Sequence, residues 1–307
     1  MPDLRRGVLF GIAAYTIWGL FPLYWPLLKP SGAVEILAHR MVWSLVVVAA
    51  VLVVRRHWSW FRPLIRQPMK LGLLVLAAVL VTVNWGVYIY AVNSGHVVES
   101  ALGYFINPLV SVLFGVVLLR ERLRPLQWVA VGFGALAVLV LTVDYGRLPW
   151  IALTLAITFG VYGLVKKQAN VAATESLAIE TLVLFLPALG YLFFLQTGGQ
   201  GTFTGEGLGH ALLLIGGGVA TAIPLICFGA AAIRVPLSTI GLLQYIAPIL
   251  QFACGVLIAK ETMPSSRWIG FSIVWVALAI FTYDSFRTAR AARRVRQSAG
   301  TLDHIVT

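Results

Sequence analysis

Few residues in this chain could do chemistry, and most of those lie where water is scarce. Asp, Glu, Lys and Arg make up 11% of 307 residues, 60% are hydrophobic, and mean hydropathy is +0.90. A soluble domain carries about 25% charge, so the solvent here must be lipid. An ionised side chain at the bilayer centre costs about 2.5–3.5 kcal/mol on insertion scales, so each one calls for a reason. One apolar stretch holds Glu35, His39 and Arg40. Glu35 and His39 are four apart, on one helix face. Arg40 lies about 10 Å in from one end of its stretch at 1.5 Å per residue. Glu99 opens a later stretch from the same side, and its depth allows a static ion pair with Arg40. The alternative is that Arg40 faces a central cavity and attracts an anionic group or holds a gate. Glu180 lies about 10 Å from the opposite surface. There it could bind a cation, carry a proton or hydrogen-bond a neighbouring helix. Glu35 and Glu175 lie near stretch ends, where solvation is the ordinary state. His39 has the right ordinary pKa, about 6.5, for a proton relay; a hydrogen-bonded packing histidine is the plainer reading.

Neutral polar residues are the second class. Asn84, Asn107, Gln244 and Gln251 could join helices or touch substrate, and joining helices is the default in lipid. Asn107 stands out because Pro108 follows it and removes a backbone donor near mid-span. Pro248 repeats the device, and paired breaks are a pointer to a transporter site. Tyr104 and Tyr245 flank these prolines. With Trp18 and Tyr88 they are candidates to line a cavity for flat, partly apolar ligands. Cys227 and Cys254 lie inside apolar stretches and predict no structural disulfide. No phosphate-binding loop, zinc-protease helix or nucleophile elbow occurs, so no ATP-driven motor, metal or cofactor is expected.

These residues must be positioned by membrane helices of about 20 residues each. Ten stretches qualify: 7–27, 33–54, 71–92, 97–119, 126–144, 149–167, 175–195, 210–233, 236–258 and 265–285. The N-terminal arginines and apolar run resemble a signal peptide, but the run's length predicts an uncleaved first span. A basic tail, 286–307, follows the last stretch and is expected to lie on anionic lipid.

The chain also repeats itself. LGYFINPLVSVLFGVVLLRERL from Leu102 matches LLQYIAPILQFACGVLIAKETM from Leu242, 140 residues on. Pro108 meets Pro248, Glu121 meets Glu261, Trp128 meets Trp268 and Asp144 meets Asp284. Glu35-Ile-Leu-Ala meets Glu175-Ser-Leu-Ala at the same offset. Trp18-Gly-Leu-Phe meets Phe159-Gly-Val-Tyr at 141. The unit is therefore five helices, 7–144 and 149–285. Five is odd, so the second copy enters the membrane inverted. With the N-terminus inside, only Lys29, Arg147, Lys260 and Arg267 fall outside and Arg40 within a span. The remaining basic residues, Arg120 and Arg122 among them, lie inside. That bias predicts N-in/C-in topology, and it explains the net charge of +12 without nucleic acid.

The stretches WGLFPLYW (18–25), AHRMVWS (38–44), NWGVYIYAVNSGHVVESALGYFINPL (84–109) and ERLRPLQW (121–128) resemble the RarD-type permeases. These form a branch of the EamA family in the drug/metabolite transporter superfamily. The resemblance spans essentially the whole chain. It implies a multi-pass protein of the bacterial inner membrane with ten helices in two EamA repeats. The fold expected is thus an all-α polytopic membrane protein of two inverted five-helix repeats. The function expected is alternating-access transport of small metabolites or drugs, with export the favoured direction. Its partners would be a small-molecule substrate and membrane lipid, with proton coupling open and no nucleic acid. A membrane-embedded enzyme on lipid-linked substrates and a non-transporting membrane subunit are the alternatives.

Overall fold

The computed structural model describes residues 2–306 except 57, 120–122, 233 and 236–242. Side chains are not described for 2, 3, 55, 115, 118, 119, 167, 173, 229, 232, 285, 286 and 288–306. Arg120, Glu121, Arg122 and Leu242, which entered the orientation and repeat arguments, lie outside the described residues.

Among the described residues the chain is helical throughout, with no strand, and helix falls on each of the ten apolar stretches. The elements are α1 (Pro2–Gly19), α2 (Phe21–Tyr24) and a 3-10 turn (Trp25–Leu28), then α3 (Ala33–Arg55), α4 (Phe61–Ile65), α5 (Pro68–Asn93), α6 (Val97–Leu119) and α7 (Pro125–Tyr145). They continue with α8 (Trp150–Ala169), α9 (Ala173–Thr197), α10 (Gly207–Ala232), α11 (Ile246–Ala253) with a π turn (Cys254–Ile258), and α12 (Ser265–Val306). By length and composition seven of these helices can cross a membrane; an eighth candidate is α1 with its continuation to Leu28. Two apolar helices are shorter, Trp150–Lys166 and Ile246–Ile258.

The helix boundaries follow local chemistry. α7 starts on Pro125, whose missing N–H would be unpaired there in any case. It stops at Gly146, which takes a left-handed φ of +63°. The first span bends by 41° between Gly19 and Phe21. Pro22 cannot donate to the Trp18 carbonyl one turn earlier, and Gln251 Nε2 takes that carbonyl instead at 3.3 Å. The two prolines expected to break matching spans behave differently. Pro108 sits inside a continuous α6, whereas Pro248 lies in the first turn of α11, after a turn at Gln244 and Tyr245. A first-turn proline gives up only a donor that has no intrahelical partner, so Pro248 opens a helix where Pro108 interrupts one.

The packing exchanges the two halves. α5 and α6 both pack on α8, and their repeat equivalents α10 and α11 both pack on α1. α3 packs on α10, as α9 packs on α5. Three helices contact their own equivalents: α3 with α9, α6 with α11, α7 with α12. Each of these pairs runs antiparallel. Val48 and Leu52 cluster with Leu177 and Ala178, while Leu37 and Ala38 cluster with Ala188 and Leu192. Gly255, in the π turn after α11, would press an added Cβ to 2.8 Å from Val98 in the first turn of α6. At one end of the α7–α12 pair Arg267 Nε reaches Asp144 at 2.9 Å; at the other, Arg124 reaches Asp284 at 2.7 Å. Asp144 and Asp284 are themselves repeat equivalents.

Candidate functional site

Arg40 is the centre of the most unusual environment. It is 2% exposed on α3, and no carboxylate lies within ion-pairing distance among the described residues. Its guanidinium is held by aromatic faces instead. The centroid of Trp85 (α5) lies 3.7 Å from the guanidinium carbon, that of Trp25 5.2 Å and that of Phe21 5.6 Å. Ring quadrupoles attract a desolvated cation, so the box makes burial tolerable without neutralising the charge. Nε donates to Thr221 Oγ1 of α10 at 2.6 Å, and Thr221 in turn donates to the Gly217 carbonyl at 2.8 Å. That arrangement depends on α3 and α10 touching. A Cβ on Gly218 would come within 2.5 Å of the Trp43 backbone, so only glycine permits the approach.

Among the described residues Arg40 Nη1 has no hydrogen-bond partner, nor have Trp25 Nε1, Tyr88 Oη and Ser44 Oγ. Leaving a buried donor unpaired costs about 1–3 kcal/mol, more when it is charged. The centre of the protein thus presents several unspent donors, one of them cationic. Beside them lies a closed network. Asn84 Nδ2 donates to the Leu155 carbonyl and to Thr158 Oγ1, both at 3.0 Å, and Tyr104 donates to Asn84 Oδ1 at 3.1 Å. Tyr104 meets Tyr88 edge-on at 5.7 Å. Asn84 therefore ties α5, α6 and α8, the default role for a buried amide. Asn107, one turn beyond Tyr104, has a buried Oδ1 with no partner among the described residues.

The structure brings together Arg40, Tyr88, Tyr104 and Asn84. Trp18 packs on the rim of the same core cluster, with its ring against Tyr15 and Phe228. Other expected residues go elsewhere. The Arg40–Glu99 ion pair does not form. Glu99 accepts from Arg147 Nη2 at 2.8 Å and Nη1 at 3.3 Å, and from the Ile151 N–H at 3.2 Å. It sits in the first turn of α6, where the loop between α7 and α8 reaches it first. The hydrogen bonds to Glu99 push the Arg147 guanidinium further up. Glu35 is not solvated: it is 4% exposed, because the loop between α9 and α10 folds over it. His39 is buried and stacks on Phe203, and among the described residues neither ring nitrogen has a hydrogen-bond partner. Tyr245 lines an open groove of about 590 Å³ with Phe105, Trp275 and Thr282, away from Arg40. Gln244 lies in the turn before α11. A second, tight cavity of about 20 Å³ between Val48, Leu177 and Ala222 also misses Arg40.

Glu180 is buried and fully engaged. Its carboxylate accepts from Lys166 Nζ at 2.7 Å, Ser176 Oγ at 2.6 Å and Tyr162 Oη at 3.1 Å. Among the expected alternatives, this is the hydrogen bond to a neighbouring helix, strengthened into an ion pair. The residues that complete the Arg40 environment, Phe21, Trp25, Trp85 and Thr221, were not singled out from the sequence. Three of them lie in the WGLFPLYW and NWGVY stretches, where aromatic density was the available signal. Thr221 gave none beyond the neighbouring glycine run.

The comparisons with known proteins agree with this architecture. Residues 5–143 match the EamA-like transporter family. Protein RarD of Streptomyces exfoliatus is 62% identical over 98% of this chain and 96% of its own length. Protein RarD of Escherichia coli (strain K12) is 43% identical over 93% of this chain and 97% of its own. The uncharacterized transporter YojE of Bacillus subtilis (strain 168) is 42% identical over 95% and 98%. A solved structure titled "Crystal structure of protein" shares the fold with a TM-score of 0.58 at 19% identity, over 90% of this chain and 97% of that one. With several long apolar helices and relatives matched over nearly their whole length, the chain belongs to the EamA-like transporter family of multi-pass membrane proteins, among its RarD-type permeases.

Proposed function

We propose that this membrane transporter moves small metabolites or drugs by alternating access, in the direction of export from a bacterial inner membrane. Its ten spans form two inverted five-helix halves, 7–144 and 149–285, with both termini in the cytoplasm and 286–307 as a basic cytoplasmic tail. The antiparallel packing of α3 on α9, α6 on α11 and α7 on α12 supports this reading. Inverted repeats place substrate between the halves, and Arg40 of the first half touches Thr221 of the second.

The observation that carries the proposal is the unneutralised guanidinium of Arg40, buried in rings with Nη1 unspent. It is assigned to an anionic group of the substrate, with Trp18, Tyr88, Tyr104 and Asn107 around it. Glu180, already satisfied by Lys166, is assigned a structural role. Uptake into proteoliposomes, screening amino acids and chloramphenicol with and without an inward proton gradient, tests both assignments. Transport that needs Arg40 and survives Glu180→Gln is the expected result. Gradient-driven accumulation lost in Glu180→Gln would instead make Glu180 the proton carrier. Turnover of a compound into a new one would favour an enzyme.

A further inference from the structure

The loop between α9 and α10, residues 198–206, lays an aromatic ring, Phe203, against α3 beside the position of Arg40 in the chain. Phe203 stacks on His39 at 4.9 Å and on Trp43 at 6.3 Å, and it packs on the core cluster that holds Trp25 and Leu37. What fastens the loop is polar. Glu35 Oε1 accepts the Thr202 backbone N–H at 2.7 Å and its hydroxyl at 3.0 Å. Thr202 Oγ1 also lies 2.6 Å from Ser31 Oγ and 3.2 Å from His210 Nε2, and Ser31 lies 2.8 Å from that nitrogen. Three segments meet there: the turn before α3, the loop itself and the first turn of α10. The loop's two ends carry Gly199 at φ +69° and Gly207 at φ +85°, which only glycine adopts without strain.

The repeat-equivalent loop, between α3 and α5, closes the opposite end differently. Its short helix α4 packs Leu64 into a cluster with Ile179, Leu74 and Ala169. Ile179 is the repeat equivalent of His39 at the 140 offset, so one position is sealed with hydrocarbon at one end and with a latch at the other. Opening an apolar seal exposes greasy surface to water, whereas opening a hydrogen-bonded latch exchanges its bonds for bonds to water.

We propose that 198–206 is a hinged gate to the Arg40 site, with Phe203 its stopper and Glu35, Thr202, Ser31 and His210 its latch. The assignment rests on the transport reading, under which this face is external. The test is thiol accessibility, which needs no known substrate. In a background of Cys227→Ala and Cys254→Ala, Tyr88→Cys is the reporter. A membrane-impermeant methanethiosulfonate is applied to right-side-out vesicles. Glu35→Ala and Thr202→Val are each expected to speed labelling about tenfold by weakening the closed state, while Glu35→Gln, which keeps an acceptor, labels at the parent rate. Adding Ser31→Cys with Thr202→Cys and oxidising the pair is expected to stop labelling of the reporter, and reduction to restore it. Unchanged labelling in Thr202→Val together with normal labelling of the oxidised pair would overturn the gate. If the gate responds as described while the wild type moves no compound in the uptake screen, transport fails and the gate stands.

Discussion

The two halves use one set of positions for opposite chemistry. Arg40 in the first half corresponds to Glu180 in the second at the 140 offset, and Phe21 and Trp25 correspond to Tyr162 and Lys166 at 141. Arg40 faces the rings of Phe21 and Trp25; Glu180 faces the hydroxyl of Tyr162 and the ammonium of Lys166. The same backbone geometry thus holds a cation among rings in one half and a closed ion pair in the other. The difference teaches where to look for function. A buried charge that is already paired has little left to offer a ligand, while one held by rings and a single hydroxyl keeps its charge and a free donor.

The largest expected effect breaks that asymmetry from the open side. Arg40→Ala should cut flux by about 100-fold, the worth of about one strong hydrogen bond to a charged group. The protein should still elute from detergent size exclusion as the wild type does, because no partner charge is stranded. Glu180→Ala should do the reverse. It strands Lys166, which is 22% exposed, so the loss should fall below the usual range for a buried pair, about 2 kcal/mol. A lowered thermal midpoint in detergent checks it, and adding Lys166→Met should recover part of the loss. Thr221→Val sharpens the comparison on a smaller scale. It removes the hydrogen bond from Arg40 Nε to Thr221 and should cost about 1 kcal/mol of stability, with a several-fold fall in flux. Smallest are the two clasps between α7 and α12. Asp144→Asn and Asp284→Asn keep an acceptor for their arginines, so each should cost only the difference between a charged and a neutral hydrogen bond, about 0.5–1 kcal/mol. Near-equal losses would agree with their equivalence under the repeat.

Much of the scaffold was legible in the sequence. Apolar stretches of membrane length mark helix without further help, and the 140-residue offset pairs the helices that the structure packs antiparallel. The unusual setting of Arg40 was legible too, because a lone cation deep in an apolar stretch has few explanations. Its partners were not. Depth along a helix follows from residue number, but azimuth and tilt do not, so Glu99 looked able to reach Arg40 when Arg147 was nearer. Glu35 looked solvated because helix ends usually are; only the fold of the 198–206 loop buries it. Aromatic residues in lipid carry no mark that separates a box around a cation from ordinary packing, which is why Trp85 and Trp25 went unassigned while Tyr245 was expected near the site.

The division of labour between the halves is tested most directly by two proteins in one flux assay. In the first, Arg40→Ala removes the open charge. In the second, Glu180→Leu with Lys166→Met replaces the closed pair by hydrocarbon, a change that is often neutral when both partners go together. The account predicts flux at background for the first and within about threefold of wild type for the second, given that replacement of a whole pair is tolerated. A silent double variant with native elution, beside an Arg40→Ala protein that still transports, would contradict it.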